Sequence, residues 1–373
     1  MILHFLTDDK FADYAVKQFR EVNSDSEFIC LDTMGCMNLV RSKDTISVMR
    51  PLSKEFIAKL DDLGKYNAII LHGMHWGKWQ VPILQKVPSH VKVAWVLWGG
   101  DIYGRHDITE NFLAPITDCV DGWRRLYNRL FQKKKANVDL SWEIPVSMYQ
   151  RVDYCLTSQQ EEFDYAKNFT HADFKHLWYT YFSIDEMIGD LKEKRSTGNN
   201  IWFGHSATIT TNFFDAVLLM HRSKHKVGKN QKIIMPLSYG APWLKTREAK
   251  FAKLFFGKRA QILTDFLPRH DYNELMLQCS TMVMPSYVSQ GMGNIITGLW
   301  LGMRVYMSER NISYAFLRRI GLHVYSIEKD FPKYGYTPVE DEIVTHNRQI
   351  IQGFYGSEHI KDAIRTIVNT LDI

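Results

Sequence analysis

Short apolar runs alternate with longer segments of helical periodicity along this chain, an arrangement typical of parallel sheets covered by helices. In the first half the pattern predicts strands at residues 2–6, 27–31, 67–71, 91–98, 151–156 and 176–181, with helices at 10–22, 54–63 and 159–168. In the second half it predicts strands at 200–203, 232–236, 260–263, 282–284, 304–307 and 323–326, with helices between them and at 341–352 and 359–371. The predicted fold class is therefore α/β, with doubly wound sheets.

A polar, charged segment at residues 185–200 separates the two sets of strands. Its composition is that of a linker, and 373 residues with 45% hydrophobic side chains are more than one core usually needs. We therefore predict two domains, residues 1–190 and residues 200–352. The last predicted helix, within residues 353–373, is expected to pack back on the first domain.

Composition narrows the class of protein. The formal net charge is +5, an excess of Lys and Arg too small to indicate nucleic-acid binding by itself. The five cysteines show no metal-site or disulfide spacing, which indicates a reducing compartment. No apolar run approaches the roughly 18 residues of a spanning helix, and the N-terminus leads directly into a strand. We expect a cytoplasmic protein that is soluble or peripherally attached to a membrane.

The segment at residues 282–306 carries the strongest ligand-binding signal: a buried strand, then a glycine-bearing loop, then a helix. This order brings unsatisfied backbone N–H groups and the positive end of a helix dipole to one point, where a diphosphate binds readily. Gly291 and Gly293 allow close approach of the anion, and Gln290 and Asn294 can donate side-chain hydrogen bonds. The alternative is a loop that only turns the chain.

Other loops of the second domain support the ligand-binding interpretation. Small residues and hydroxyls lie between its first predicted strand and a predicted helix at 212–221, so a second helix N-terminus is expected to face the diphosphate. An aromatic ring and an apolar pair follow the next two strands. Because ligands bind beyond the carboxyl ends of parallel strands, these loops and the glycine loop predict one site for a nucleoside diphosphate, with the base against the apolar pair. The residues of this set are Gly204, Ser206, Thr208, Tyr239, Phe266 and Leu267.

Three missing motifs limit the chemistry of this site. The G-x-G-x-x-G fingerprint of a dinucleotide-dependent dehydrogenase is absent near the N-terminus, and so is the lysine-containing loop of ATPases and GTPases. The chain has no Asp-x-Asp, the usual means of clamping a sugar nucleotide through a divalent metal. We therefore predict no metal and no cofactor, with helix ends, hydroxyls and cations stabilising the leaving diphosphate.

Polar side chains also follow two predicted strands of the first domain. His72 and His75 follow the strand at 67–71, and Asp101 follows the strand at 91–98. Asp101 is the candidate general base that accepts a proton from a sugar hydroxyl, and His72 is the second catalytic candidate. The alternatives are that Asp101 caps the next helix and that His72 is a buried histidine that fixes the turn. The acceptor-side candidates are His75, Trp98 and Tyr103.

The stretch at residues 119–135 combines aromatic and basic side chains at helical spacing. An apolar face that includes Trp123 is flanked and followed by six cations, which predicts a helix that binds an anionic membrane surface. The alternative is an ordinary surface helix whose apolar face lies in the core. The cations are Arg124, Arg125, Arg129, Lys133, Lys134 and Lys135.

Several of these segments resemble those of one bacterial family. They are HG at 72–73, WGGDIY at 98–103, GHS at 204–206, PLSY at 236–239 and QGMG at 290–293. In these segments the chain is similar to the TDP-N-acetylfucosamine:lipid II N-acetylfucosaminyltransferases, the Fuc4NAc transferases of enterobacterial common antigen synthesis. The resemblance runs in order over most of the chain. The chain departs from the family pattern at His205, where an Asn is usual.

The resemblance implies a GT-B glycosyltransferase, with two Rossmann-like domains facing across a cleft and a TDP-sugar held by the second. It implies an acceptor sugar linked to a polyprenyl diphosphate, and peripheral attachment to the inner face of the cell membrane. It assigns six residues to the donor site: Gly204, Ser206, Tyr239, Gln290, Gly291 and Gly293. It assigns His72, Asp101 and Tyr103 to the acceptor side. Two other functions stay open: a nucleotide-sugar epimerase, and a non-catalytic protein that binds sugar nucleotides or membranes.

Overall fold

The computed structural model describes residues 1–9, 11–32, 34, 37, 39–75, 77–105, 108–131 and 143–372. The chain divides into two compact units. The first consists of Met1–Arg105, Lys135–Ser183 and Ser357–Ile373, and the second of His106–Lys134 and Ile184–Gly356. The second unit therefore takes residues 106–134 and 184–190, which we had predicted to belong to the first domain.

Each unit contains a parallel β-sheet. The seven-stranded sheet of the first unit is formed by β1 (Ile2–Thr7), β2 (Glu27–Leu31), β3 (Ser47–Met49), β4 (Ala68–His72), β5 (Lys92–Val96), β6 (Tyr154–Leu156) and β7 (Lys175–Leu177). The six-stranded sheet of the second is formed by β8 (Asn200–Phe203), β9 (Ile233–Pro236), β10 (Ala260–Leu263), β11 (Cys279–Met284), β12 (Arg304–Met307) and β13 (Tyr325–Ser326).

Helices alternate with these strands, as the apolar pattern predicted. In chain order they are α1 (Ala12–Val22), α2 (Lys54–Asp61), α3 (Gly77–Lys86), α4 (Gly99–Tyr103), α5 (Pro115–Phe131), α6 (Gln160–Thr170), α7 (Ile184–Ile188), α8 (Phe213–Arg222), α9 (Pro242–Phe256), α10 (Arg269–Leu277), α11 (Met292–Trp300), α12 (Ile312–Arg319), α13 (Phe331–Tyr334), α14 (Asp341–Tyr355) and α15 (Ser357–Leu371). Within the described residues, none of these helices combines the length and the apolar character needed to cross a membrane.

Both sheets reverse their strand order beside their first strand. The orders are β3-β2-β1-β4-β5-β6-β7 and β10-β9-β8-β11-β12-β13. The reversal points therefore lie between β1 and β4 in the first unit and between β8 and β11 in the second. Loops leaving the two strands at such a point turn to opposite faces of the sheet and open a crevice, which is where ligands bind in folds of this kind.

Amphipathic helices close the cores on either side of these sheets. In the first unit α15 buries Ile360, Ile364, Ile367, Val368 and Leu371 against the cluster that contains α1. This spacing follows the helical period and forms one apolar stripe. In the second unit α8 and α9 contribute to the corresponding cluster.

Residues 106–134 belong to the second unit because α5 packs on α8 there. The Asp215 carboxylate, in the first turn of α8, accepts hydrogen bonds from the N–H groups of Ile116 and Thr117 at 2.9 and 2.8 Å. It thereby caps the first turn of α5, where backbone donors have no partner within the helix. The capping residue lies about a hundred positions further along the chain.

Candidate functional site

Two loops of the second unit meet at the reversal point of its sheet. β8 and β11 are parallel neighbours, and just beyond their pairing the Gly204 N–H donates to the carbonyl of Val283 at 2.9 Å. Further out, a Cβ at Gly291 would lie 3.0 Å from Cγ of His205. The loops at residues 204–212 and 285–291 are therefore in contact with each other.

Hydroxyl groups and one amide connect these loops. Thr208 Oγ1 lies 3.1 Å from Ser206 Oγ, and it donates to Oε1 of Gln290 at 3.5 Å. Thr210 Oγ1 donates to the same oxygen at 3.3 Å. Gln290 Nε2 donates in turn to Ser286 Oγ at 2.6 Å. Gln290 therefore bridges the two loops, and the Ser206 and Thr208 hydroxyls lie at the junction.

The side chains predicted to donate directly to a diphosphate have other partners. Gln290 is engaged in the bridge, and Asn294 Nδ2 donates to the Tyr272 hydroxyl at 2.8 Å. These positions fit a role in holding the loop and α11 rather than the predicted contact with the anion. The first backbone N–H groups of α11 can donate to an anion at this end of the helix, because they have no acceptor within the helix.

Gly291 has a conformational reason to be glycine. It is the N-cap of α11 with φ +70°, in the left-handed region. An L side chain there costs about 1–2 kcal/mol. A Cβ would also lie 2.6 Å from Cε of Met284. The backbone at Gly291 can therefore lie this close to Met284 and His205 only because the residue lacks a side chain.

The second predicted helix N-terminus, that of α8, is occupied by the protein itself. Asp215 caps α5 from this turn, and Asn212 Oδ1 accepts from the Ala114 N–H at 2.7 Å. A carboxylate at a helix N-terminus already satisfies the dipole and repels another anion. Of the two helix ends predicted to converge on a diphosphate, the end of α11 is therefore the one that suits an anion.

The loops after β9 and β10 add an aromatic surface to the same edge of the sheet. The rings of Tyr239 and Phe266 are exposed and meet edge to face, with centroids 4.8 Å apart. Ala207 ties the Tyr239 loop to the loop after β8, because its N–H donates to the carbonyl of Tyr239 at 2.9 Å. Gly240, with φ +102°, lies against the Ala207 backbone, and a Cβ there would overlap the Ala207 carbonyl. Leu267 follows Phe266 and is half-buried.

An arginine that we did not predict reaches this edge from the loop after β12. Arg310 is exposed, and its guanidinium carbon lies 4.0 Å from the ring centroid of Tyr287. The neighbouring Asn311 Nδ2 donates to the carbonyls of Ser286 and Val288 at 3.0 and 2.8 Å. The loop after β12 thus supports the loop after β11 and adds a cation beside it. The sequence signal that could have identified Arg310 is its position just beyond the strand predicted at 304–307.

In the first unit, Asp101 is a buried hydrogen-bond acceptor. Its Oδ2 accepts from Trp95 Nε1 at 2.7 Å and from the Trp98 N–H at 2.9 Å, and its Oδ1 lies 2.7 Å from His75 Nδ1. The bond to Trp98 caps α4, the structural role that we gave as the alternative. The side chain of Asp101 is 0% exposed, whereas that of His75 is 24% exposed. Asp101 is therefore not placed to touch an acceptor hydroxyl, and His75 is the member of the pair that reaches the surface.

His72 ends β4 and lies in the core. Its Nδ1 is 2.9 Å from the Tyr181 hydroxyl and its Nε2 is 3.1 Å from His4 Nδ1. Burial lowers the pKa of His72 to about 3, so the ring is neutral at physiological pH. With both nitrogens engaged in the core, His72 does not fit the predicted catalytic role. It fits the alternative, a buried histidine that fixes the turn.

The remaining acceptor-side candidates, Trp98 and Tyr103, differ in exposure. Tyr103 is buried against Tyr165, with ring centroids 5.5 Å apart, and burial raises the pKa of its hydroxyl. This position does not fit contact with an acceptor. Trp98 is half-buried and stacks on His75, with centroids 5.5 Å apart and planes at 28°.

α5 leaves its aromatic face in solvent. Its Ile116 and Val120 pack against the core of the second unit. On the other side Trp123, Leu126, Tyr127 and Leu130 are 69%, 44%, 59% and 64% exposed and form one stripe at helical spacing. The alternative interpretation, an apolar face buried in the core, is therefore wrong for these four side chains.

The predicted cations of this helix are partly neutralised. Arg124 pairs with Asp121 at 2.7 Å, and Arg125 lies 3.3 Å from Asp121 and 3.5 Å from Asp118. Arg129 is exposed in the last turn. Lys133, Lys134 and Lys135 lie outside the described residues. The excess positive charge of this region therefore comes from Arg129 and the three lysines of the sequence.

In the part of the chain that the structure describes, no group of three or more His, Cys, Asp or Glu side chains is arranged to hold a metal ion.

Comparison with known proteins bears on the fold. No protein-family model matches the chain, and no curated protein matches its sequence. A glycosyltransferase from Rickettsia africae matches with a TM-score of 0.60 and 10% identity, over 99% of this chain and 97% of its own. Sucrose-phosphate synthase from Thermosynechococcus elongatus matches with a TM-score of 0.61 and 10% identity, over 99% and 98%. HepE from Anabaena, solved in complex with UDP-glucose, matches with a TM-score of 0.60 and 10% identity, over 99% of each chain.

At 10% identity the likeness establishes the fold and not the activity, because one fold supports many activities. Both units have the parallel, doubly wound architecture that the sequence predicted. The chain therefore has the fold of the GT-B glycosyltransferases, two Rossmann-like α/β units.

Proposed function

We propose that this protein is a glycosyltransferase that moves a sugar from a nucleotide donor to a lipid-linked saccharide. The observation that carries the proposal is the contact between the loops at residues 204–212 and 285–291, beside the N-terminus of α11. Such a junction at the reversal point of a parallel sheet is where a nucleotide binds. The fold shared with HepE, which was solved with UDP-glucose, supports a nucleotide-sugar donor.

In this proposal the second unit holds the donor through its diphosphate. Backbone N–H groups at the start of α11, the hydroxyls of Ser206 and Thr208, and the guanidinium of Arg310 offset its charge. This set can stabilise a departing nucleoside diphosphate without a divalent metal. Tyr239 and Phe266 offer the base an exposed aromatic surface. The identity of the donor, a TDP-linked deoxyamino sugar such as TDP-Fuc4NAc, rests on the resemblance of the signature segments.

A thermal-shift screen of nucleoside diphosphates and sugar nucleotides, with and without EDTA, tests this donor site. A ligand at 100 times its Kd stabilises the folded state by about 2.7 kcal/mol, a shift of several degrees. Preference for TDP over UDP, GDP and ADP would support the resemblance, and a shift that survives EDTA would support metal independence. No shift with any nucleotide at millimolar concentration would contradict the proposal.

Two glycine variants make the screen specific. Gly291→Ala should reduce the nucleotide shift, because a Cβ there would lie 3.0 Å from His205 Cγ and would displace the loop after β8 or the start of α11. Gly189→Ala is the matched control, since Gly189 also has a positive φ of +60° but open space around a Cβ. Both variants place an alanine at a positive φ, +60° at residue 189 and +70° at residue 291. Only a loss of binding confined to Gly291→Ala supports the donor loop.

The acceptor in this proposal is a saccharide linked to a polyprenyl diphosphate at the inner face of the cell membrane. The exposed stripe of α5 supports such a location, because amphipathic helices bury aromatic and aliphatic side chains at the lipid boundary. Arg124 and Arg125 have acidic partners, so attraction to anionic lipid depends on Arg129 and Lys133–Lys135. A Lys or Arg near an anionic membrane surface contributes about 1 kcal/mol.

Co-sedimentation with vesicles tests this part of the proposal. We expect binding to vesicles that contain phosphatidylglycerol, weaker binding at high salt, and little binding to phosphatidylcholine alone. Leu130→Ser should weaken binding, whereas Leu254→Ser should not, although Leu254 is an exposed leucine of α9 in the same unit. Equal binding by both variants would remove α5 from the membrane contact.

Turnover assays separate the proposal from the two other functions. A transferase releases nucleoside diphosphate only when the acceptor is present, apart from slow hydrolysis. Conversion of the donor to another sugar nucleotide without acceptor would indicate an epimerase. Nucleotide binding in calorimetry without turnover of any donor would indicate a non-catalytic binding protein.

A further inference from the structure

Asn212 has a backbone conformation that is rare for a residue with a side chain. It ends the loop after β8 with φ +55° and ψ +38°, in the left-handed region. It is the N-cap residue of α8, yet its side chain makes no capping hydrogen bond to that helix. An N-cap Asn usually has an extended backbone and bonds the first turn of its own helix. The side chain of Asn212 is instead directed to another part of the chain.

The partners of this side chain lie about a hundred positions earlier, in residues 112–114. Oδ1 of Asn212 accepts from the Ala114 N–H at 2.7 Å, and Nδ2 donates to the Phe112 carbonyl at 3.1 Å. The oxygen and the NH2 group of the amide thus each hold one backbone group of the same segment. Asn212 is 1% exposed, so water does not readily replace these bonds. The end of the loop after β8 is therefore fixed against residues 112–114.

The same segment also contacts the loop after β12. The Arg310 guanidinium donates to the Asn111 carbonyl at 3.3 Å. In the sheet, β11 lies between β8 and β12. Residues 111–114 therefore contact the loops on both sides of the loop after β11, and all of these groups belong to the second unit. The segment closely follows residues 105–106, where the chain passes from the first unit to the second.

Short contacts connect Asn212 to the hydroxyls of the candidate donor site. The neighbouring Thr211 Oγ1 donates to the Ser206 carbonyl at 3.3 Å and lies 3.0 Å from Thr208 Oγ1. In the proposed function the hydroxyls of Ser206 and Thr208 bind the diphosphate, and Arg310 is the cation of the same site. A displacement of residues 111–114 would therefore move groups from two of the loops that contact the diphosphate.

We propose that Asn212 is a positioning residue of the donor site, and that nucleotide binding is coupled to the order of residues 111–114. This inference rests on the proposed nucleotide-binding function. While the Asn212 bonds are intact, the loop after β8 is held in place before the nucleotide arrives, so less ordering is required on binding. When they are broken, the nucleotide must order these groups itself and binds more weakly. By reciprocity, a bound nucleotide stabilises the contact by the same factor.

Hydrogen exchange of the full-length wild-type protein tests the coupling without any substitution. We expect saturating TDP, with UDP as the second probe, to slow exchange in residues 111–114 by about 5-fold or more, the lower end of typical coupling between two sites. The Ala114 N–H reports directly, because Asn212 Oδ1 is its acceptor. If the nucleotide binds and exchange in this segment changes by less than about 2-fold, the inference is overturned.

Asn212→Gly removes both side-chain bonds and keeps the backbone conformation, because glycine adopts a positive φ readily. In calorimetry this variant should raise the Kd of the same nucleotide by about 5-fold or more, a factor that matches the slowing of exchange in the wild-type protein. His171→Gly is the matched control and should keep the wild-type Kd. His171 is also a non-glycine residue at positive φ, +52°, but its side chain is exposed and it belongs to the first unit.

A purely structural role of Asn212 gives a different result. Asn212→Gly would then lower the melting temperature and keep the Kd within about 2-fold of wild type, which would overturn the inference. Calorimetry is done at a temperature at which the melting curve shows the variant to be folded. If the variant does not fold, the wild-type exchange measurement decides. If neither TDP nor UDP binds the wild-type protein, the nucleotide-binding function fails and this inference fails with it, whereas binding without coupling contradicts this inference alone.

Discussion

Glu248 is a carboxyl group in the apolar stripe of a helix. It lies in α9 between Leu244 and Ala252, one turn to either side, and all three are buried. Among the described residues, its Oε2 has no hydrogen-bond partner. Burial raises the pKa of Glu248 from an ordinary 4.5 to about 9, so the folded protein holds this group protonated at neutral pH. The unfolded chain, by contrast, ionises it.

The sign of the pH dependence follows from that difference. Between pH 4.5 and pH 9 the folded state binds a proton that the unfolded state has lost, so stability falls as the pH rises through this window. The slope is about 1.4 kcal/mol per pH unit. Relative to pH 4.5, the loss of stability from this group is about 3 kcal/mol at pH 7 and levels off above pH 9 at about 6 kcal/mol.

Glu248→Gln keeps the shape of the side chain and removes the titration. For a unit of 150–250 residues, 1 kcal/mol shifts the melting temperature by about 2–4 °C. We therefore expect the variant to melt higher than wild type at pH 7 by about 6–12 °C, with a difference that is small at pH 5 and grows with pH. The buried amide of Gln adds an offset that does not depend on pH. The growth of the difference is therefore the diagnostic quantity.

Differential scanning fluorimetry from pH 5 to pH 9 measures this difference. Glu342→Gln, a change at an exposed glutamate in the first turn of α14, is the control and should show no such growth. If the difference between Glu248→Gln and wild type is the same at pH 5 and pH 8, the carboxyl is ionised in the folded protein and the reasoning fails.

Three further substitutions test single contacts: one beside Trp98, one in the candidate donor loops and one at the start of α5. Tyr181→Phe removes the acceptor of Trp98 Nε1 and should lower stability by about 1–3 kcal/mol in thermal melts; an unchanged midpoint would contradict this. Gly240→Ala should abolish nucleotide thermal shifts, because its Cβ would overlap the Ala207 carbonyl, and a retained shift would exclude that loop from the donor site. Asp215→Asn should speed hydrogen exchange at the start of α5, and unchanged exchange there would rule out the cap.

Most strands could be predicted because each is a short apolar run between polar turns. β3 was missed because it has only three residues, Ser47–Met49, and none is fully buried. α3 was missed because it contains Pro82, which normally ends a helix, and has no simple apolar stripe. In both cases tertiary packing decides the conformation, and a local window of sequence does not contain that information.

The glycines of the candidate donor site could be predicted, but several side-chain roles could not. A glycine at a strand-to-helix turn can be interpreted from the nearby sequence, because the backbone conformation that requires it is local, as at Gly291. The role of a polar side chain depends on its partner, and the partners lie far away in sequence. His72 bonds Tyr181, 109 positions away, and Asn294 bonds Tyr272, 22 positions away. Each candidate was chemically suitable, and each is engaged within the protein.

The pairing of His75 with Asp101 could be predicted in part. β4 and β5 are adjacent in the sheet, and His72 pairs with Val96. His75 and Asp101 follow these paired positions by three and five residues, so the strand order alone brings them to the same edge. Which of the two side chains is exposed is decided by the donors around the carboxylate. Trp95 Nε1 and the Trp98 N–H draw Asp101 into the core, and His75 remains at the surface with its Nδ1 bound to that carboxylate. A sequence-based prediction that included the strand order could have found the pair, whereas the difference in exposure between the two side chains follows from the side-chain packing.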